Sequence, residues 1–323
     1  MSSNLLRGGL AALLLLAGHA SAGVDQASSL LLFPCYDNTR QSQTFLTVTN
    51  TNDDPTAGSI RVEFVYINQN NCLETNRTRT LSPNDTITVA TSLDNPNSVR
   101  GYVYVFAKST VNGHAVKADQ LIGTARFFGA VGSEDYEVQP FNFLAGAALA
   151  AGADTDLDHD GIRDLNGNEY EQAPAEIHLP RFFGQGPSAN SQLVLINLTG
   201  GAAFQAIVDL LIYNDNEEVF SSQYQFRCWQ KVPLLNVSNV FSDTFLKSTG
   251  HATGEDVLGV ETGWIRINGN VAFSSAAQFQ DPAVIAVLIE NLLNGVGADL
   301  PFARGVQANG DLLPLSILGD NGL

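Results

Sequence analysis

Short runs of β-branched and aromatic residues, separated by turn formers, recur along this chain. Thr44-Phe45-Leu46-Thr47-Val48-Thr49 is one such run, and Asn50 begins the turn-forming stretch that ends it. Residues 62–67 form a second, closed by Asn68-Gln69-Asn70-Asn71. Residues 86–89 follow the turn signal Ser82-Pro83-Asn84-Asp85. In Tyr102-Val103-Tyr104-Val105-Phe106, valines and aromatics alternate with period two, which places them on opposite faces of a strand. Strands of this length at this spacing predict an all-β chain built from sandwiches.

The phrases return in order. Val62-Glu63-Phe64-Val65-Tyr66-Ile67-Asn68-Gln69-Asn70 matches Val208-Asp209-Leu210-Leu211-Ile212-Tyr213-Asn214-Asp215-Asn216 position by position in residue type. Ser42-Gln43 corresponds to Ser191-Gln192, and Gly101-Tyr102-Val103-Tyr104-Val105 to Gly263-Trp264-Ile265-Arg266-Ile267. Preserved order argues for a duplication. Two copies are too few for a solenoid, so the expectation is two tandem Ig-like β-sandwich domains, 23–150 and 177–323. Between them, residues 144–153 are almost all Ala, Gly and Leu. An acidic stretch follows with Asp154, Asp156, Asp158, Asp160, Asp164, Glu169, Glu171 and Glu176, opposed only by Arg163. Residues 151–176 therefore read as the linker. One segment is ambiguous. Asp281-Pro282 reads as the N-cap and first residue of a helix running to about Asn294, with Gly295 as its stop. Yet Val284, Ile285, Val287 and Ile289 also suit a buried strand. The end caps favour the helix.

Composition narrows the function classes. The formal charge is −17, which disfavours nucleic acid and anionic membrane surfaces as partners and favours cations. Arg7, the uncharged apolar run of residues 10–17 and Ala20-Ser21-Ala22 form the three-part pattern of a secretory signal peptide over residues 1–22. The apolar run is too short to span a bilayer. The mature chain is thus expected outside the cytoplasm, in the periplasm or beyond the cell, without membrane insertion. Three cysteines follow the leader, Cys35, Cys72 and Cys228. An odd number leaves one thiol over. Cys35 and Cys72 share a half of the chain and are the expected disulfide, with Cys228 free. In the chain-entropy model that bridge would add roughly 3–4 kcal/mol.

Thr47-Val48-Thr49-Asn50-Thr51-Asn52 is one recurring phrase. Leu81-Ser82-Pro83-Asn84-Asp85-Thr86, downstream of Asn71-Cys72, is another. Gly101-Tyr102-Val103-Tyr104-Val105 followed by Asp119-Gln120-Leu121-Ile122-Gly123 is a third. Together they resemble a loose group of uncharacterised exported bacterial proteins with Ig-like β-sandwich modules. The resemblance covers mainly residues 30–145 and implies a fold and an export route, with no activity attached.

Chemistry is concentrated in one place. The chain has no G-x-S-x-G elbow, no H-E-x-x-H, no Walker loop and no dinucleotide fingerprint. His114, His159, His178 and His251 are scattered. Trp229 and Trp264 are the only tryptophans. Trp229 is the candidate platform for stacking on a sugar ring, whereas Trp264, matching Tyr102, is expected in a core. In Asp156-Leu157-Asp158-His159-Asp160-Gly161-Ile162-Arg163-Asp164, carboxylates at positions 1, 3 and 5 converge if the chain turns at Gly161. Ile162 then offers its carbonyl oxygen at position 7, and Asp164 binds directly or through water. Hard oxygen donors point to calcium. The run resembles the D-x-D-x-D-G-x-x-D loops of thrombospondin type 3 repeats, except that position 12 is Gly167. Either residues 165–168 bulge so that Glu169 closes the site, or Asn166 substitutes. The expected function is a non-enzymatic surface, matrix or adhesive protein with a calcium-stabilised linker and a protein or glycan partner. The alternatives are a carbohydrate-binding protein using Trp229 and, less favoured, a hydrolase assembled from scattered Asp and His.

Overall fold

The computed structural model describes residues 26–39, 42–129, 135–200, 203–249, 259–293, 295–299 and 301–312. The expected leader, residues 1–22, lies outside them, as does His251. The chain is all-β. Its first half contains β1 (Leu30–Asp37), β2 (Ser42–Asn50), β3 (Ile60–Asn68), β4 (Glu74–Leu81), β5 (Thr86–Ala90), a one-turn helix α1 (Thr91–Asp94), β6 (Arg100–Lys108), β7 (Leu121–Gly129), β8 (Tyr136–Val138) and β9 (Phe141–Phe143). After β10 (Asp164–Leu165) come β11 (Glu176–Phe183), β12 (Gln192–Asn197), β13 (Gln205–Asn214), β14 (Val219–Arg227), β15 (Trp229–Pro233), α2 (Leu234–Val237) and α3 (Asp243–Ser248). The chain continues with β16 (Thr262–Phe273), β17 (Gln278–Gln280), β18 (Val284–Leu292), β19 (Gly295–Asp299), β20 (Phe302–Arg304) and β21 (Gly310–Asp311). Among the described residues no helix is long and apolar enough to cross a membrane.

The two halves repeat one topology. In the first, one sheet has the order β4-β3-β6-β1-β9 and the other β5-β2-β7-β8. In the second, the orders are β14-β13-β16-β11-β20, with β17 added to β16, and β15-β12-β18-β19. Corresponding strands occupy corresponding places, and the register agrees as well. Asn68 opposes Gly101 on β3 and β6, and Asn214 opposes Gly263 on β13 and β16. Both glycines are required by close approach: a Cβ there would collide with the carbonyl oxygen of Ile67 or Tyr213 and press on Tyr36 or Phe182. Each half also interrupts its first strand at a proline. The ladder shifts between Phe33 and Tyr36 in β1 and between Leu179 and Phe182 in β11, around Pro34 and Pro180. Proline has no N–H to give the ladder, which confines it to such irregularities.

Burial separates inner from outer sheets. On β2 and β13, buried and partly exposed residues alternate, as on a sheet with one face in water. Every residue of β1 is buried, and β3, β6, β12 and β18 are buried almost throughout. Continuous apolar runs of this kind belong to strands covered on both faces. Leu31 and Phe33 lie against Gly123 of β7, within the first half. Their neighbours Leu30 and Leu32 face the other way. On that side β1 meets β12 and β18, and β6 meets β15. The layers therefore run β5-β2-β7-β8, then β4-β3-β6-β1-β9, then β15-β12-β18-β19, then β14-β13-β16-β11-β20, with β8 at the edge of the first also reaching β19 of the third. One hydrophobic cluster extends through both halves.

Three sequence expectations change here. Residues 284–292 are a strand, not part of a helix, paired on both sides with β12 and β19. Its unbroken apolar run reflects two-sided burial. The disulfide joins Cys72 to Cys228, with Cα atoms 6.3 Å apart, while Cys35 is a buried free thiol. Pairing within one half was the wrong assumption, because the halves are packed together. Trp229 is only 3 % exposed, and its Nε1 donates to the Pro34 carbonyl oxygen at 2.8 Å. It ties the second half to the first and cannot be a sugar platform.

This layering yields a test. Leu32→Ala and Leu31→Ala are expected to destabilise the protein comparably, each by about 2–5 kcal/mol in urea unfolding. A loss below about 1 kcal/mol for Leu32→Ala alone would contradict burial of that face between the halves.

Candidate functional site

Residues 145–176 pack against both halves. Lys117 N–H donates to the Ala153 carbonyl oxygen, Gly152 N–H to the Lys117 carbonyl oxygen, and Thr155 N–H to the Ala115 carbonyl oxygen. β10 pairs with β21, and Ala173 bridges Gln307. Thr155 and Tyr170, both fully buried, share a hydroxyl contact of 2.8 Å. Arg163 is buried with its guanidinium 5.1 Å from the centre of the Phe106 ring.

Between these anchors the acidic residues wind around a common interior. Asp154 Oδ1 accepts from Asp156 N–H, Asp158 Oδ1 from Asp160 N–H, and Asp160 Oδ1 from Ile162 N–H. Each short side chain caps the backbone two residues on, which is the local preference of aspartate. Gly161, at φ 82°, makes the turn where a side chain would be strained. At the far end, Asn166 Oδ1 accepts from the N–H groups of Asn168 and Glu169, and Gly167 adopts φ 87°. That tight bulge returns Glu169 to the loop. Its Oε1 accepts from Leu157 N–H at 2.6 Å and its Oε2 from Asp164 N–H at 3.2 Å.

The result brings Asp156, Asp158 and Glu169 together, with one carboxylate oxygen of each within 4.8 Å of the others. Asp156 and Glu169 are buried, and Asp158 is exposed. Asp156 Oδ2 accepts from Arg163 at 3.0 Å, while its buried Oδ1 has no hydrogen-bond partner. Asp160 and Asp164 belong to the same loop but lie outside this triad. Ile162 is buried. Asp311, across the β10–β21 ladder from Asp164, is an acid that sequence reasoning missed. No motif announces it, and only the pairing of two short strands 146 positions apart brings it near.

Electrostatics mark the cluster as under strain. Burial pushes Glu169 up to about 7, against the two N–H groups that favour its charge, with Asp164 adding repulsion. Burial, then the charges of Asp164 and Asp160, push Asp311 up to about 8. Asp160 and Asp164 are raised too, by burial first and neighbouring acids second. Beside the triad lies a cavity of about 290 Å³ whose wall includes His114, Asp154, His159 and Arg163. His114 Nδ1 is 2.9 Å from Asp154 Oδ2. Trp264, expected in a core, instead stands half-buried on the outer side of β16, stacked on Tyr213 at 4.1 Å.

No protein-family model matches the chain, and no curated protein does. Two solved structures are similar at a low level. One is the N-terminal CBM22-1–CBM22-2 tandem domain of Paenibacillus barcinonensis Xyn10C, with TM-score 0.18, 8 % identity, and coverage of 86 % of this chain and 85 % of that one. The other is the cryo-EM structure of Broad Bean Stain Virus, with TM-score 0.18, 9 % identity, and coverage of 94 % and 97 %. At such scores neither likeness bears on function.

The raised carboxyls set a pH dependence. In the folded chain Glu169 and Asp311 keep protons that the unfolded chain has already released, so their contribution to stability falls as pH rises. In EDTA, the melting temperature of the wild type should therefore fall relative to that of Glu169→Gln between about pH 5 and pH 8. Parallel pH profiles of the two proteins would show that Glu169 is not held protonated in the fold.

Proposed function

We propose that this chain is an exported, non-enzymatic structural or adhesive module of the cell surface or matrix, whose segment between the two β-halves binds calcium. The observation that carries the proposal is the convergence of Asp156 and Glu169, both buried, with the exposed Asp158. Burial raises Glu169, Asp160 and Asp164 of this loop, with neighbouring acids adding to it, and a cation that neutralises and bridges such carboxylates stabilises them. The donors are all oxygen, and calcium accepts six to eight such ligands in flexible geometry. The buried Oδ1 of Asp156 has no hydrogen-bond partner, which leaves it available to a ligand. Arg163 holds the other oxygen, so Asp156 would ligate through one atom only. Asp160, Asp164 and the Ile162 carbonyl are the further candidates, with water completing the shell.

Such a cation would stiffen the segment that contacts β6 on one side and β21 on the other. Together with the Cys72–Cys228 bridge it would resist separation of the halves. Both ties suit an environment outside the cytoplasm, where disulfides persist. A disulfide and a bound cation between the halves are what favour a structural role in this reading.

Calorimetry tests the reading. The wild type is expected to give a saturable heat at millimolar calcium, and Asp158→Ala a heat reduced at least about tenfold in affinity. In EDTA, limited proteolysis should cut first within residues 154–169, with protection restored by calcium. A wild type that shows neither heat nor protection would remove the proposal. So would fractionation that finds the chain in the cytoplasm of its producing cell with Cys72 and Cys228 reduced.

A further inference from the structure

The duplication supplies a natural control for one surface. In the first half, the face of β4-β3-β6-β1-β9 that carries Leu30, Leu32, Val65, Tyr104 and Phe106 is buried by the second half and the intervening segment. The corresponding face of β14-β13-β16-β11-β20 is an outer surface of the stack. By register, its equivalents of those five residues are Glu176, His178, Leu211, Arg266 and Asn268. Exposure to water accounts for four of the replacements. It does not account for the next rung, where Ile67 and Tyr102 are matched by a larger aromatic pair, Tyr213 and Trp264.

The face is ordered in rungs across the strands. Tyr213 and Trp264 oppose each other, parallel to within 5° and 4.1 Å apart, with His178 edge-on to Trp264 at 5.7 Å. The adjoining rung runs Ser221, Leu211, Arg266, His178, Phe302, and Phe302 is 66 % exposed. The next runs Gln223, Asp209, Asn268, Glu176, Arg304. An open groove of about 540 Å³ follows these two rungs over β14, β13 and β16. Asp209 is paired with Gln223 and Asn270, and His178 with Glu176. Arg266, in the middle of the groove, has a buried Nε with no hydrogen-bond partner. A buried unpaired donor is costly and calls for an acceptor.

We infer that this groove binds a neutral polysaccharide, with Arg266, Asn268 and Gln223 hydrogen-bonding hydroxyl groups and the Tyr213–Trp264 pair, on the rung next to Leu211 and Arg266, extending the site with an apolar surface for a pyranose ring. The side chains decide between glycan classes. A hydroxyl both donates and accepts, and the groove combines donors (the Arg266 guanidinium), acceptors (the Asp209 carboxylate) and groups that do both (Ser221, Gln223 and Asn268). Each carboxylate of a charged glycan would instead call for an excess of cationic donors. The rungs balance Asp209 and Glu176 against Arg266 and Arg304, and the chain as a whole, at −17, repels polyanions. Aromatic rings with a polar edge pack against the C–H face of a sugar while its hydroxyls point to the rim.

Affinity electrophoresis in gels cast with soluble neutral β-glucan, or separately with alginate, tests the assignment on the full mature chain. Retardation by the β-glucan is expected, weakened at least about tenfold in both Trp264→Ala and Arg266→Gln. Phe128→Ala, on the opposite outer sheet, should match the wild type. Arg266→Gln leaves the aromatic wall intact, so it separates loss of binding from loss of fold, and its calcium heat should equal that of the wild type. Three results would overturn the inference: migration unaffected by β-glucan, retardation by alginate alone, or equal retardation of all variants. Wild-type self-association in sedimentation that Trp264→Ala abolishes, without glycan binding, would assign the face to a second copy instead.

Discussion

The molecule depends on one constraint: the sheet β4-β3-β6-β1-β9 is apolar on both faces. One face closes on β7 and its neighbours, as in any sandwich. The other carries Leu30, Leu32, Tyr104 and Phe106, all buried. Burying large apolar side chains is worth about 1.5–3 kcal/mol each, so leaving these four in water would cost roughly 6–12 kcal/mol, an upper estimate because unfolded chains are themselves partly compact. Whole domains are stable by about 5–15 kcal/mol. The first half therefore needs the second to cover it, and the disulfide, the Trp229 hydrogen bond and the acidic segment all lie along that dependence.

The packing is head-to-tail. The five-stranded sheet of one repeat meets the four-stranded sheet of the other, so the two copies are not related by a closed symmetry. Duplication supplied equivalent surfaces, and docking made them inequivalent. Where the first copy has Leu32 and Tyr104, the second has His178 and Arg266. The acidic segment occupies the remaining edge of the buried face, with Arg163 over Phe106. A loop enclosed in this way is shaped by its surroundings, which is why Glu169 can be held two residues beyond the usual closing position.

Local pattern was legible in the sequence, and long-range partnership was not. The strands, the repeated Asn-x-Asn closures and the glycines at 101 and 263 follow from residue type and spacing, because pleat and close approach act over a few residues. The turn at Gly161 was legible for the same reason. The strand at 284–292 resembled a helix because an unbroken apolar run has no period of its own, and Asp281-Pro282 mimics a cap. Burial of Trp229, exposure of Trp264 and the approach of Asp311 depend on how whole sheets stack. Periodicity carries no record of that. The cysteines failed on the same ground: nearness in sequence stood in for nearness in space.

The Cys72–Cys228 bridge spans 156 positions, and this separation orders events in time. During synthesis Cys35 and Cys72 are both made well before Cys228. Two thiols in the same half are then free to form a wrong bond. Docking of the second half resolves the competition in one movement. It brings Cys228 to Cys72 and places β15, with Lys231, against the neighbourhood of Cys35. Burial then pushes the Cys35 thiol up to about 12, leaving almost no thiolate to attack. The packing that sets Cys228 beside Cys72 thus also sets β15 beside the one thiol left over, so the bridge and the silent cysteine are two results of the same contact between the halves.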